Sequence, residues 1–293
     1  MNMAPSSRFP VVLKHAARFA LQWRLLLIWL AVLLLPTALA VLPIWSMLAE
    51  LFNHSIYANE LAHRLDGNTM LDVMTASGKN QMALRGGGAV GVVVALLLSP
   101  FLTGVAITAA RANDTLALGP LVQGGVAEYW HLLRMLLVAI LPLGLAIAAG
   151  GALSDWATDH AGKAVLESSA DLASRVVMVL SIVLFFIADA TVDAGRAQFA
   201  LSSKRRSAIK AWWRGLKLIV SRPFASLGSY LLLTLIGFVL AGAFGLLRIN
   251  MPQVGTLGFV AAFIVAQAMV AAIAWLRGAR LFALVQLAKA AQA

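Results

Sequence analysis

Six stretches of this chain are each long and apolar enough to cross a bilayer: roughly 25–48, 88–110, 133–152, 176–195, 225–247 and 257–276. A helical span needs about 20 mostly apolar residues. In hydrocarbon, water cannot satisfy backbone amides and carbonyls, so a spanning segment must bond them internally, and stretches of this length do so as helices. The sequence therefore predicts an all-α polytopic bundle of six transmembrane helices, with 1–293 forming one integral membrane domain. Composition agrees. Hydrophobic residues are 61% of the chain and charged residues 12%, where soluble domains carry about 45–50% and about 25%. Pro36, Pro43, Pro100 and Pro142 fall inside spans and are expected to kink them. With no cysteine, disulfides, thiolate metal sites and cysteine nucleophiles are excluded.

Placing the N-terminus inside puts seventeen of the 23 Lys and Arg residues on the inner side and six outside. That asymmetry predicts both termini in the cytoplasm, and the location expected is a bacterial inner membrane. The net charge of +11 then reads as a basic inner rim facing anionic lipid headgroups, not as a nucleic-acid surface. Ala38-Leu39-Ala40 has the small-x-small form of a signal-peptide cleavage site. The apolar run continues through Val41, Leu42, Ile44 and Trp45, so an uncleaved first helix is expected.

Residues 203–220, SKRRSAIKAWWRGLKLIV, are too basic for a span. Ile209, Trp212, Trp213, Leu216, Ile219 and Val220 recur at helical spacing, with Arg206, Lys210, Arg214 and Lys217 on the other side. This is the pattern of a helix lying in the interface plane. Lys204, Arg205, Arg206, Lys210, Arg214 and Lys217 would meet headgroups, and Trp212, Trp213 and Trp23 would anchor at interfacial depth. Ser221-Arg222-Pro223 ends the helix before the fifth span. Residues 10–24 read similarly, residues 120–134 more weakly, and the tail ARLFALVQLAKA is a fourth such segment. Gly86, Gly87 and Gly88 read as a flexible lead into the second span. The longest outer loop, 49–86, carries a stretch around 49–65 that can be helical.

The second, fourth and sixth spans each end in two small residues and an arginine: Ala109-Ala110-Arg111, Ala194-Gly195-Arg196 and Gly278-Ala279-Arg280. The arginines lie 85 and 84 residues apart, and each precedes an amphipathic segment. Three hairpin-like units fit this spacing, one of them split across the termini; chance also fits it, since alanine and glycine are abundant here. Small residues at four-residue spacing (Gly237, Ala241 and Gly245; Gly144 and Ala148, or Ala146 and Gly150) favour tight helix packing, within the chain or with a second copy.

In FFIADATVDAGR, Asp189 and Asp193 share a helix face at i, i+4, and Arg196 continues it. Charges at membrane depth face protein or water, pair with one another, or mark a pathway. Three readings follow. Asp193 and Arg196 form an interfacial pair, with Asp189 one turn deeper, bonded to a neighbouring helix, and Arg111 or Arg280 as available partners. Or Asp189 is the carrier of a proton- or cation-coupled transport site. Or the carboxylates serve acid–base chemistry or hold a divalent metal with a lipid phosphate.

The five histidines are scattered, and no P-loop, GxSxG, HExxH or Rossmann signature is present. No cofactor and no metal is expected. The layout of six spans with basic segments such as TVDAGRAQFALSSKRRSAIKAWWRGLKLIVSRP resembles uncharacterised bacterial inner-membrane proteins. It is loosely similar to the membrane region fused to glycerophosphodiester phosphodiesterases. This chain reaches Ala293 without a hydrolase domain, so the resemblance implies no phosphodiesterase activity and transfers no catalytic residue. The function expected is a non-enzymatic accessory or scaffold at the cytoplasmic leaflet. Its expected partners are anionic lipids and a second copy or another membrane subunit. The alternative is a small transporter or lipid-handling permease using Asp189 and Asp193.

Overall fold

The computed structural model describes residues 9–53, 66–112, 115–161, 167–201, 207–251 and 255–292. Among these, the regular elements are helices: α1 (Phe9–Ala20), α2 (Trp23–Phe52), α3 (Gly67–Lys79), α4 (Gln81–Arg111), α5 (Leu118–Ala161), α6 (Glu167–Ala200), α7 (Ala208–Ser221), α8 (Pro223–Asn250) and α9 (Gly255–Ala290). Six of them, α2, α4, α5, α6, α8 and α9, are long and apolar enough to cross a membrane, and each contains one expected span. Lys204, Arg205 and Arg206 lie outside the described residues, as does the expected helical stretch after Asn53.

Several helices run past their expected ends, for a common physical reason. Nothing between Leu118 and Ala161 breaks the backbone except Pro142, which the helix absorbs. The 120–134 segment is thus not a separate interfacial piece. It is the first third of a 44-residue helix, about 66 Å long at 1.5 Å per residue. Where α7 meets α8, by contrast, Arg222 leaves helical geometry and Pro223 starts the next helix, as its fixed φ and missing amide favour.

Gly86, Gly87 and Gly88 are no flexible lead; they lie inside α4. Gly87 and Gly91 bring α4 against the proline-bearing part of α2: a methyl at Gly91 would sit 2.9 Å from the Pro36 carbonyl oxygen. The 281–290 tail is also not an amphipathic surface segment. It continues α9 without a break, and Leu281, Phe282, Ala283, Leu284, Val285, Leu287 and Ala288 are all buried. A helix apolar on every side belongs in a core.

That core is built from three helix ends. Residues 102–109 of α4, 188–200 of α6 and 274–288 of α9 are almost continuously buried and meet one another. The halves remote from these ends keep large exposed apolar side chains, such as Leu145, Val179, Leu235 and Phe263. Around the core the order is cyclic. The return helix α5 packs on α6, α8 packs on α9, and α2 packs on α4. The short helix α1 lies on α9, α7 on α6, and the first part of α5 on α4. This packing is compatible with three units, with α9, α1 and α2 as the unit that is split in sequence.

Small residues mark each crossing. A methyl at Gly215 of α7 would stand 2.4 Å from the Gly195 amide nitrogen, and one at Gly125 would stand 2.8 Å from Val105 and Phe101. Gly278 faces Ala20. The Gly237 stripe of α8 is used within the chain, against Leu276 of α9. On α5, Gly150 faces Ser181 of α6, while a methyl at Gly144 would meet open space.

Helix α7 has three faces. Ala208, Ala211, Gly215 and Leu218 are buried against the bundle. Ile209, Trp213 and Val220 are exposed apolar residues, and Lys210, Arg214 and Lys217 form an exposed basic row.

Candidate functional site

Asp189 and Asp193 sit in the buried end of α6, where the helix repeat sets them on one face with Arg196. Two arginines three residues apart, Arg277 and Arg280, lie on the neighbouring stretch of α9. The α6–α9 packing joins the two sets. Asp193 is the bridge: its Oδ1 accepts from Arg196 Nη1 at 2.8 Å, and its Oδ2 lies 3.3 Å from Arg280 Nη2. Arg280 Nη1 donates to the Tyr230 hydroxyl at 2.6 Å and lies 3.5 Å from Asp189 Oδ2. The Tyr230 hydroxyl donates in turn to Asp189. The guanidinium also lies over the Tyr230 ring, 4.4 Å from its centroid, and reaches Thr234 Oγ1 at 3.4 Å. Asp193 and Arg280 are both buried. Buried charges persist only when paired and hydrogen-bonded, and this network meets both conditions.

Arg111 is elsewhere. It pairs with Glu128 of α5 at 2.5 Å, and its second terminal nitrogen donates to the Phe199 carbonyl at the end of α6. Lys289 of α9 donates likewise to the Ala110 carbonyl of α4 at 3.4 Å. Both cations cap the negative end of a helix dipole belonging to the next unit. The grouping of Arg111 with Asp189, Asp193, Arg196 and Arg280 is corrected accordingly: its bonds to Glu128 and the Phe199 carbonyl take it out of the cluster. Trp212 is corrected too. Its indole N–H donates to Thr191 Oγ1 of α6 at 3.2 Å, so its polar edge is aimed inward. Trp213 and Trp23 are exposed, and Arg24 lies over the Trp23 ring, 5.5 Å from its centroid.

Sequence reasoning missed Tyr230, Arg277 and Glu128 as site residues. Arg277 had a signal. Three residues before each aligned arginine stand Thr108, Asp193 and Arg277, so the residue matching Asp193 in the third unit is itself charged.

The charged network forms the head of a cavity of about 740 Å³. Asp189, Asp193, Arg196, Arg277 and Arg280 line one end. The walls come from α2, α4, α5 and α6, through residues such as Trp29, Ala106, Leu136, Ile140 and Phe185. The wall residues Val92, Leu137 and Ile140 are themselves exposed, so the cavity opens sideways through the helix shell. The hydroxyls of Ser99 and Thr103 are bonded back to carbonyls of their own helix, leaving the wall apolar in character.

Arg277 differs from its neighbours. It is exposed, it lines the cavity, and among the described residues it makes no hydrogen bond or contact ion pair. Arg280 Nε and Trp29 Nε1 are buried donors without a hydrogen-bond partner among the described residues, and both side chains line the same cavity. Three guanidinium groups face two carboxyl groups, a formal excess of one positive charge. The arrangement suits an anion attached to an apolar body. Among the described residues, no group of three His, Asp or Glu side chains converges as metal ligands would.

Comparison with known proteins adds no family: no family model matches the chain, and neither a curated protein nor a solved structure shows significant similarity to it.

Proposed function

We propose that this chain is a non-enzymatic, multi-pass protein of a bacterial inner membrane that binds an anionic amphiphile in its lateral cavity, as a lipid-handling protein. One observation carries the reading: Arg277, a guanidinium with no hydrogen bond or contact ion pair among the described residues, faces a cavity with apolar walls and a side opening. It supports the lipid-handling alternative over the scaffold role that the sequence favours. The Asp189 carboxylate, held by Tyr230 and near Arg280, belongs to the frame that positions the arginines.

In this reading both termini are cytoplasmic, and the arginine ends of α4, α6 and α9 lie at the inner leaflet. Helices α1 and α7 lie in the interface plane. On α7, Ile209, Trp213 and Val220 enter the acyl boundary, and Lys210, Arg214 and Lys217 meet anionic headgroups. Lys204, Arg205 and Arg206 continue that basic row in sequence. The resemblance to the membrane region fused to glycerophosphodiester phosphodiesterases enters as architecture alone. A second copy or another membrane subunit would cover part of the exposed apolar surface; nucleic acid has no place here.

The test is retention of lipid by the purified full chain. Arg277→Gln removes a charge that makes no hydrogen bond or contact ion pair among the described residues. It should therefore leave the thermal midpoint in detergent within a few degrees of wild type and lower retained phosphatidylglycerol at least tenfold, the loss expected for one charge-assisted contact of about 1.5–3 kcal/mol. Unchanged retention, read by native mass spectrometry, would end the proposal.

A further inference from the structure

We infer that the ligand carries a single negative charge, and that an acyl chain runs from the head of the cavity past Phe185 into the groove between α5 and α6. This deepens the lipid-handling reading and rests on it.

The groove is a second cavity, of about 610 Å³. Its lining includes Ala146, Gly150 and Ser154 of α5, and Ser181 and Ile182 of α6. Ile147 and Phe185 line both cavities, so the two volumes meet there. The groove presents almost no polarity. The Ser181 hydroxyl donates to Val177 O at 2.8 Å and the Ser154 hydroxyl to Gly150 O at 3.0 Å. Its floor is the close approach of Gly150 to Ser181, where an added methyl would stand 3.2 Å from the Ser181 oxygen.

Length fits as well. Asp189 and Ser181 are eight residues apart on one helix, about 12 Å at 1.5 Å per residue. One leaflet of a bilayer core is about 15 Å deep. A head held near Arg277 therefore places its chain along the groove for most of a leaflet.

Charge narrows the head. One positive charge in excess is neutralised by one negative charge, as on a phosphodiester. A dianionic head would leave a net negative charge beside the buried Asp193–Arg280 pair, which a low-dielectric site penalises. Arg277, with no hydrogen-bond partner to release among the described residues, can offer its planar fork to two phosphate oxygens at once.

The experiment is displacement of a fluorescent lysophosphatidylglycerol from the purified full chain in detergent. The competitors are oleoyl- and lauroyl-lysophosphatidylglycerol, oleoyl-lysophosphatidic acid and oleoyl-lysophosphatidylcholine. The oleoyl glycerol form should compete about tenfold better than the choline form and several-fold better than the phosphatidic acid, given the strength of a charge-assisted contact. It should also beat the lauroyl form several-fold, because its chain has six more carbons to bury in the groove. Ser181→Leu fills the groove and should erase the chain-length difference while keeping the head preference. Ser154→Leu, higher in the same groove, should do the same, and covers the case in which Ser181→Leu does not fold. Arg277→Gln should do the reverse. Loss of all head preference in wild type would remove both proposals. A head preference kept while neither leucine variant alters the chain-length difference would overturn the groove assignment alone. Equal competition by the phosphatidic acid would overturn the single-charge assignment.

Discussion

Asp193 and Arg277 are near neighbours with opposite consequences when lost. Asp193 is 6% exposed and bonded to two arginines, one of them, Arg280, 8% exposed. Asp193→Ala would leave buried positive charge without its counter-ion, which costs about 3–5 kcal/mol. We expect a marked drop in the thermal midpoint in detergent, read by fluorescence-detected size exclusion; a midpoint equal to wild type would contradict the network. Arg277→Gln should show no such drop. Sequence alone exposed the carboxylates, because charge inside an apolar run is conspicuous. It could not separate Arg277 from the basic rim, since a cation near a span end looks the same whether it faces headgroups or a cavity. Nor could it separate Trp212 from Trp213: adjacent residues on a helix point about 100° apart, and only packing decides which of the two turns inward.

Among the elements, α7 shows how a small residue sets a crossing. Gly215→Ala would drive a methyl into the Ala194–Gly195 backbone, which cannot rotate away as a side chain can. Forcing α6 and α7 apart should cost about 1–3 kcal/mol. Gly242→Ala, which would meet nothing within 4 Å, is the matched control and should hold or raise the midpoint. Helix α3 makes a pH prediction. Asp66 caps it, accepting from the Thr69 amide at 2.7 Å. Hydrogen bonds from the Thr69 side chain and backbone hold the Asp66 carboxyl below its usual value of 3.8. A carboxyl depressed by folding stabilises above its unfolded value, and that stabilisation is lost as pH falls through the lower folded one. The Thr69 amide should thus stay protected from hydrogen exchange at neutral pH and lose protection as pH drops below about 4, relative to later amides of α3. Asp66→Ala should show the unprotected state at every pH. The sequence does contain this cap, Asp66 followed by Thr69, but it lay in a stretch read as loop because α3 is too short and polar to announce itself as a span.

For the whole molecule, the apolar runs located six helices because length and hydropathy dictate them locally. Where each helix ended was less legible. The 44 residues of α5 and the buried tail of α9 depend on neighbours that periodicity cannot see. The small-small-arginine ends of α4, α6 and α9 fall where the buried ends of these three helices meet. The side of the membrane is open to direct measurement in this cysteine-free chain. With both termini cytoplasmic, a single cysteine at Lys217 should react with an impermeant maleimide only after cells are opened. One at Met74, 62% exposed on α3, should react in spheroplasts. The reverse pattern would invert the proposed topology.

The seam between the two ends of the sequence has a consequence for how the protein is made. Trp275 of α9 donates its indole hydrogen to the Ala17 carbonyl of α1, and Arg280, from the same helix, completes the charged network. Synthesis inserts α1 and α2 long before α9 exists. Asp189 and Asp193 are therefore made with only Arg196 beside them, so the newborn chain passes through a half-assembled stage that ends when a single late helix brings Arg277 and Arg280.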